Sequence, residues 1–351
     1  MSADARMRFA PLAALFLAGI ALVVFKLCAF GVAPNSDYYS YLETAAFFRG
    51  EAGAQVFPNR ILKPLEPLMI AAEESVLSPE HAFVVQIVFF YFLLLGACYF
   101  FGRAFGFSRA ESALAGLFIG GSYPVLRYGL DLYTETGALF FYILALTLTL
   151  LYLRAPARRI LYANIAVVTI GALWKEYSIV AGAVFGFAIL FHPQLSWRAR
   201  FAALAAYAGI FLAINLAWQA YVYRVYDYSY FSFYAEDGAP GYYEFTFKNV
   251  AKSLAALLGL AWLLVPFGLA RWRALEAWQR RFFMFAIPLS AMAFLWGFVS
   301  SRLYFVIAPA FVLLALLSLA RVRSPLARSA LVALVLAANL AWLALSFRIT
   351  L

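Results

Sequence analysis

Cysteine and histidine are almost absent from this chain of 351 residues, which contains two of each. Cys28 and Cys98 both lie within apolar runs, so they form neither a disulfide framework nor a closely spaced metal-binding pair. His81 and His192 flank apolar runs, a position that favours an interfacial role over catalysis. The chain also lacks a Ser/His/Asp arrangement, the HExxH and CxxC motifs, and a phosphate-binding Walker loop. These absences disfavour soluble nucleotide chemistry.

Charge is scarce as well, since only 13% of the residues are charged and 66% are hydrophobic. The mean hydropathy is +0.85. Soluble domains carry about 25% charged residues, so this composition indicates a helical membrane protein with several spans of roughly 20 apolar residues each. The net charge of +10 does not point to a nucleic-acid partner. The basic residues lie mainly in short connectors between apolar runs, as the positive-inside rule expects.

Eleven apolar runs are predicted to be transmembrane helices. In chain order they cover residues 9–30, 82–101, 112–126, 136–153, 160–173, 178–191, 201–221, 250–270, 282–299, 303–320 and 329–347. The third, fifth and sixth runs are short, which predicts shallow or broken spans. Arg6 and Arg8 precede the first run as in a signal peptide. With so many spans following, an uncleaved signal-anchor is the expected form.

Charge counting predicts the orientation of these spans. With the N-terminus in the cytoplasm, the inner segments hold 16 of the 27 basic residues but only three of the 17 acidic ones. The three inner acids are Asp4, Glu111 and Glu276, and every other acidic residue falls on the outer side. A wrong number of spans would scramble this separation. The prediction is therefore N-terminus in and C-terminus out.

The polar segment 32–80 between the first two predicted spans is far longer than a connection requires, which is typical of a functional loop. Because irregular backbone is costly in lipid, this loop is expected outside the bilayer or along a water-filled cavity. Two amphipathic surface helices are predicted in it, the first beginning near Asp37 and the second at Pro64. The first carries an apolar stripe at helical spacing, formed by Tyr38, Tyr41, Leu42, Ala45 and Phe48.

Several charged residues of the outer segments are open to two interpretations. Asp37 fits a helix N-cap, which is compatible with a further chemical role. Arg60 and Lys63 fit contacts with lipid headgroups, but positive charge on the outer side runs against the general bias and favours anion binding. In the next outer loop, Glu135 fits the first turn of a span whose cap is Thr134. The remaining candidates are Asp131, which has no evident structural role, and Lys175, Glu176 and Arg302, which fit interfacial contacts and cavity-lining groups equally well.

The order of these motifs resembles the GT-C-fold glycosyltransferases, integral-membrane enzymes that use lipid-phosphate-linked sugars. In that family the first outer loop is long, forms surface helices and begins with an acidic motif just after the first span. The matching segments are Ser36-Asp37-Tyr38, residues 60–67, residues 122–135, Trp174-Lys175-Glu176 and Arg302-Leu303-Tyr304. The sequence shows no internal repeat and no Ser/Gly/Pro-rich linker, which predicts a single membrane domain over residues 1–351. Within it, residues 1–222 correspond to the catalytic module, and residues 223–351 to an outer loop and C-terminal helices.

The resemblance implies transfer of a sugar from a polyprenyl-phosphate donor to an acceptor hydroxyl by direct displacement, with inversion at the anomeric carbon. Asp37 is then the expected catalytic base, with Asp131 or Glu135 orienting the acceptor. Arg60 and Lys63 are expected to hold the phosphate. The full set of expected substrate contacts is Arg60, Lys63, Lys175, Glu176 and Arg302.

One departure from the family concerns metal ions. Many members have two adjacent acids in the first motif, whereas Asp37 stands between Ser36 and Tyr38. We therefore expect no obligatory metal and no other cofactor. The expected partners are a polyprenyl-phosphate-linked sugar donor, a glycan, lipid or protein acceptor, and membrane lipid, but no nucleic acid.

The main alternative function is a transporter or flippase of lipid-linked or small polar substrates. Transporters place their binding groups near the bilayer midplane, whereas here Lys26 is the one clear ionisable residue deep in a predicted span. The other charges gather at the outer face, which favours chemistry at the surface. The compact loops favour a bacterial cytoplasmic membrane, with the site on its extracytoplasmic side.

Overall fold

The computed structural model of the chain describes residues 3–32, 34–233, 245–295 and 299–349, and these ranges contain helices and turns but no strand. Helix accounts for 81% of the structure. The all-α class predicted from the sequence is therefore confirmed. The helices are α1 (Ala3–Phe30), α2 (Ser36–Phe48), α3 (Pro58–Ile61), α4 (Leu65–Glu73), α5 (Pro79–Phe105), α6 (Arg109–Gly120), α7 (Glu135–Arg154), α8 (Arg158–Trp174), α9 (Tyr177–Leu190), α10 (Trp197–Tyr226), α11 (Tyr230–Ser232), α12 (Phe247–Leu258), α13 (Val265–Leu269), α14 (Ala277–Ser290), α15 (Ala308–Leu319) and α16 (Pro325–Ile349).

Long apolar helices identify the chain as an integral membrane protein. Within the described ranges, six stretches are long and apolar enough to cross a membrane: Phe9–Phe30, Pro79–Phe105, Glu135–Arg154, Trp197–Tyr226, Phe247–Leu269 and Pro325–Phe347. Two further apolar helices, Tyr177–Leu190 and Tyr304–Leu319, are shorter. Over its described residues, each of the eleven predicted runs coincides with one helix or with two or three consecutive helical segments. The number of segments that cross the bilayer stays a prediction.

The centre of the molecule is the pair α5 and α7, against which α6, α8, α9 and α14 pack. Close approach depends on small residues, as at Gly137, where a Cβ atom would overlap the ring of Trp174. That ring is buried, and its Nε1 donates to the carbonyl of Thr134 at 3.2 Å. The glycine therefore lets the end of α8 hold the start of α7, where several of the predicted site residues lie.

The segment between α1 and α5 forms the two predicted surface helices, α2 and α4, which pack against each other. On α2 the predicted stripe is buried at Tyr38, Tyr41 and Ala45. On α4 the apolar residue Leu68 is exposed, whereas Glu66 is buried against the rest of the protein. An exposed apolar face next to apolar spans suits contact with lipid, as expected for an interfacial helix.

Candidate active site

Asp37 lies in the first turn of α2 but does not cap it. Asn35 is the N-cap, and its Oδ1 accepts from the backbone N–H of Tyr38 at 3.0 Å. The interpretation of Asp37 as the N-cap is therefore wrong. Its carboxylate instead accepts from Arg60 Nη2 at 2.5 Å through Oδ1 and from Arg302 Nη1 at 3.1 Å through Oδ2. Burial opposes ionisation of Asp37, but Arg60 and Arg302 outweigh it and hold its pKa below the ordinary value.

Arg60 is fixed beside Asp37 by further contacts with the same face of α2. It belongs to the short helix α3, and its Nε donates to Ser40 Oγ at 2.7 Å. Its guanidinium carbon lies 4.4 Å from the centre of the Tyr41 ring, a cation–π distance. These partners keep Arg60 in place beside Asp37 even when the carboxylate changes its own partners.

Arg302 reaches Asp37 from the opposite end of the chain. The hydroxyl of Tyr177 donates to the backbone carbonyl of Arg302 at 3.0 Å, which positions the residue. The guanidinium also lies 3.8 Å from the Glu135 carboxylate and 4.8 Å from the ring centre of Tyr133. Burial alone would lower the pKa of Arg302, but Glu135 and Asp37 raise it overall. Arg302 thus joins α2 to the start of α7.

Glu135 and Lys175 form a buried ion pair at 2.6 Å where α7 begins and α8 ends. Lys175 Nζ also donates to Thr134 Oγ1 at 3.1 Å. The predicted placement of Thr134 as the cap residue and of Glu135 in the first turn is confirmed. The hydroxyl of Thr134 makes no capping bond, because it serves the charged residues instead.

Lys63 and Glu176 form a second buried pair, with 2.9 Å between Nζ and Oε2 and side chains only 5% and 12% exposed. Burial lowers the pKa of Lys63, and Glu176 offsets part of this effect. Burial raises the pKa of Glu176, but Lys63 and Lys175 outweigh it and lower the pKa to about 2. Both charges are therefore well compensated by each other.

Glu66 belongs to the same group, although it is not among the site residues predicted from the sequence. Its side chain is fully enclosed by the protein, and burial raises its pKa well above the ordinary value. The nearby cations Lys175 and Arg60 act against this shift, whereas Glu135 adds to it. The sequence signal that could have identified Glu66 is its position on α4, on the face opposite the exposed apolar residue Leu68.

Asp131 lies in a different group of charges. Its Oδ2 accepts from Arg127 Nη1 at 2.6 Å and lies 3.9 Å from Nζ of Lys26. The structure brings the other seven predicted site residues together but places Asp131 among these cations. Its expected role in orienting the acceptor stays a prediction.

We call the assembled group the Asp37 cluster. It contains four cations, which are Arg60, Lys63, Lys175 and Arg302, and four carboxyl groups, which are Asp37, Glu66, Glu135 and Glu176. Asp37 and Arg302 remain 28% and 26% exposed, so a ligand can reach them. Within the described ranges no three His, Cys, Asp or Glu side chains converge as metal ligands. Metal independence stays a prediction.

Comparison with known proteins bears on the fold. No protein-family model matches the chain, and no curated protein matches its sequence. Among solved structures it is similar to ArnT from Cupriavidus metallidurans, whose crystal structure contains bound undecaprenyl phosphate. The TM-score is 0.64 at 16% sequence identity, over 90% of this chain and 61% of the ArnT chain. The chain therefore spans about 61% of the length of that neighbour.

This likeness establishes the class of fold. The chain has the architecture of a GT-C glycosyltransferase, as the resemblance read from its sequence implied. The likeness extends over 90% of the chain. The division into residues 1–222 and 223–351 stays a prediction.

Proposed function

We propose that the protein transfers a sugar from a polyprenyl-phosphate donor to an acceptor hydroxyl on a glycan, lipid or protein. The observation that carries this proposal is the accessible carboxylate of Asp37 held between Arg60 and Arg302, in a GT-C fold. A carboxylate supplies a base for the acceptor, and neighbouring cations stabilise a departing phosphate. The undecaprenyl phosphate bound by ArnT supports the class of donor.

The charge of the Asp37 cluster suits such a donor. The raised pKa of Glu66 favours its neutral form, which leaves four cations facing three carboxylates. A sugar joined to a polyprenyl phosphate is a phosphodiester, which carries one negative charge. Its phosphate therefore matches the surplus positive charge of the cluster, and charge-assisted bonds to phosphate are strong.

The mechanism follows from the different anchoring of the two arginines. In the free protein Asp37 is a weak base, because Arg60 and Arg302 stabilise its ionised form. We infer that the donor phosphate draws Arg302 away from Oδ2, while Ser40 and Tyr41 keep Arg60 on Oδ1. The pKa of Asp37 then rises towards its ordinary value, and the free Oδ2 can accept a proton.

In the transfer step the acceptor oxygen attacks the anomeric carbon and gives its proton to Asp37. The bond from that carbon to the phosphate oxygen breaks, and the polyprenyl phosphate leaves with the electron pair. Arg302 and Lys175 stabilise the charge that develops on the leaving phosphate. One direct displacement inverts the configuration of the sugar.

The ends of the helices support an extracytoplasmic site. The Asp37 cluster gathers where α7 and α9 begin and α8 ends, whereas Arg103, Arg154 and Arg158 lie at the opposite ends of α5, α7 and α8. Arginine-rich connectors favour the cytoplasmic side. The proposed location is a bacterial cytoplasmic membrane, with the N-terminus in the cytoplasm.

The test is reconstitution of the purified protein in lipid vesicles with a panel of labelled polyprenyl-phosphate sugars and a mixed pool of envelope acceptors. We expect transfer from at least one donor and a loss of about 10²–10⁴-fold in D37N, as for removal of a general base. E43Q is the matched control, because Glu43 is an exposed carboxylate on the same helix. Equal transfer by D37N and the wild type would reject the mechanism. Movement of the donor across the bilayer without transfer would favour the flippase alternative.

A further inference from the structure

A cavity of about 380 Å³ lies beside the Asp37 cluster, on the side of Arg302 that faces α12 and α16. This volume falls within the range of about 300–1,000 Å³ that is usual for small-molecule sites. Ser300 and Ser301 line the cavity, and Arg302 is the next residue of the chain. None of the eight residues of the Asp37 cluster lines the cavity, and the peptide bond between Ser301 and Arg302 links the two.

One wall of the cavity is aromatic. The rings of Tyr123 and Tyr128 lie 6.2 Å apart, and those of Tyr123 and Trp342 lie 6.3 Å apart. Tyr and Trp combine a flat apolar ring with a polar edge. A sugar ring has the complementary form, with C–H groups on its faces and hydroxyl groups around its rim.

The facing wall is polar and positively charged. Asn249, Lys252 and Ser253 lie on one face of α12 and line the cavity. The Lys252 side chain is exposed, and among the described residues no carboxylate lies within ion-pair distance of it. Hydroxyl and amide groups suit the rim of a sugar, and an ammonium group suits an acidic or phosphorylated one.

A row of short contacts connects this cavity to Asp37. The rings of Tyr128 and Tyr133 lie 5.7 Å apart, and the Arg302 guanidinium lies 4.8 Å from the Tyr133 ring centre. Arg302 in turn contacts Oδ2 of Asp37 at 3.1 Å. A ligand in the cavity would therefore approach the oxygen that Arg302 vacates in the proposed mechanism. Arg60 lies on the other oxygen, Oδ1.

We propose that this cavity is the acceptor subsite and that it takes a saccharide bearing a negatively charged group. This inference rests on the proposed function, because the word acceptor has meaning only if transfer occurs. The aromatic wall orients the sugar ring, Lys252 holds its charged group, and one hydroxyl is presented to Asp37. A hydroxyl presented from the cavity then meets the Oδ2 atom that Arg302 leaves when it turns to the donor phosphate. Direct displacement requires this hydroxyl and the phosphate to lie on opposite sides of the anomeric carbon.

The test measures saccharide binding without turnover, by using the full chain in nanodiscs with no donor. The probes are a hyaluronan tetrasaccharide, which carries glucuronate, and neutral maltotetraose. We expect the acidic probe to bind about tenfold more tightly, since one charge-assisted bond has roughly that worth. K252Q should remove this preference, and W342A should weaken both probes about tenfold. W197A is the matched control, because Trp197 is exposed at the start of α10 and outside the cavity.

Several results would overturn the assignment. Unchanged binding in both K252Q and W342A, with unfolding temperatures equal to the wild type, would reject the site. Displacement of the acidic probe by dolichyl-phosphate glucose would place the donor sugar in the cavity, and displacement by phosphatidylglycerol would mark a lipid site. Saccharide binding of the expected pattern in a protein that uses no donor of the panel would retain the site and reject the proposed function. Transfer without such binding would do the reverse.

Discussion

Two regions of the molecule use the same set of charges in opposite ways. In each, one aspartate lies between two cations: Asp37 between Arg60 and Arg302, and Asp131 between Arg127 and Lys26. The Asp37 side chain is 28% exposed. The Asp131 side chain is 2% exposed. The composition of a charged group therefore does not decide its role, whereas its access to a ligand does.

The partners of the second group explain why it is closed. Lys26 lies near the end of α1 and also donates to the carbonyl of Gly31, and the Arg127 guanidinium lies 4.3 Å from the ring centre of Phe347 in α16. Asp131 thereby joins the segment before α7 to the first and last helices. This group fastens the helices together, whereas the Asp37 cluster, with its partly exposed centre, is arranged to exchange partners.

D131N tests the difference between the Asp131 group and the Asp37 cluster, and we expect it to cause the largest loss of stability. It leaves two cations without their buried counter-charge, which typically costs about 3–5 kcal/mol. D37N should cost less than about 1 kcal/mol, because Arg60 retains Ser40 and Arg302 retains Glu135 in a partly exposed setting. The measurement is the free energy of unfolding in mixed micelles. Normal stability of D131N with loss of transfer would instead place Asp131 in the reaction, as the sequence suggested.

Lys63 and Glu176 give an intermediate case, since their buried charges face each other at 2.9 Å. K63M alone removes the Lys63 ammonium group from beside the buried Glu176 carboxylate, so it mixes a folding defect with any loss of binding. The double variant K63M/E176Q removes both charges and should restore stability. If Lys63 contacts the donor phosphate, the double variant needs about tenfold more donor for half-maximal transfer. A donor dependence equal to the wild type would restrict Lys63 to a structural pair.

Much of this arrangement was predictable from the sequence, because lipid constrains it strongly. Long apolar runs predicted where helices form, and outer-side cations at Arg60 and Lys63 drew attention because they contradict the charge bias of membrane proteins. The structure places both in the Asp37 cluster. The two cations whose predicted position contradicts the charge bias therefore both belong to the Asp37 cluster.

The partners of these residues were not predictable, because side chains far apart in sequence meet only through packing. Arg302 and Asp37 are separated by 265 positions and still share a hydrogen bond. Asp131 and Glu135 are four residues apart and would share one face of a continuous helix, but α7 begins only at Glu135 and the residues directly before it are not helical. Glu66 was passed over because a glutamate on a surface helix is usually solvated.

We expect the smallest effect on transfer from E66Q, which tests whether Glu66 is neutral while the other carboxyl groups of the Asp37 cluster are ionised. Since burial raises the pKa of Glu66, the folded protein keeps a proton that the unfolded chain releases above pH of about 4.3. Wild-type stability therefore contains a contribution that is full below this pH and is lost as the pH rises towards the folded-state pKa. Glutamine resembles the protonated acid and lacks this contribution. At pH 7 we expect transfer within about twofold of the wild type, as for a substitution that preserves shape and charge.

The stability of E66Q relative to the wild type should rise as the pH is raised from 5 to 8. E135Q is the control, because it removes the ion pair with Lys175 and should lose transfer and stability together. A large loss of transfer in E66Q, or a relative stability that does not change with pH, would mean that Glu66 is ionised, and the surplus positive charge proposed for the donor phosphate would be absent.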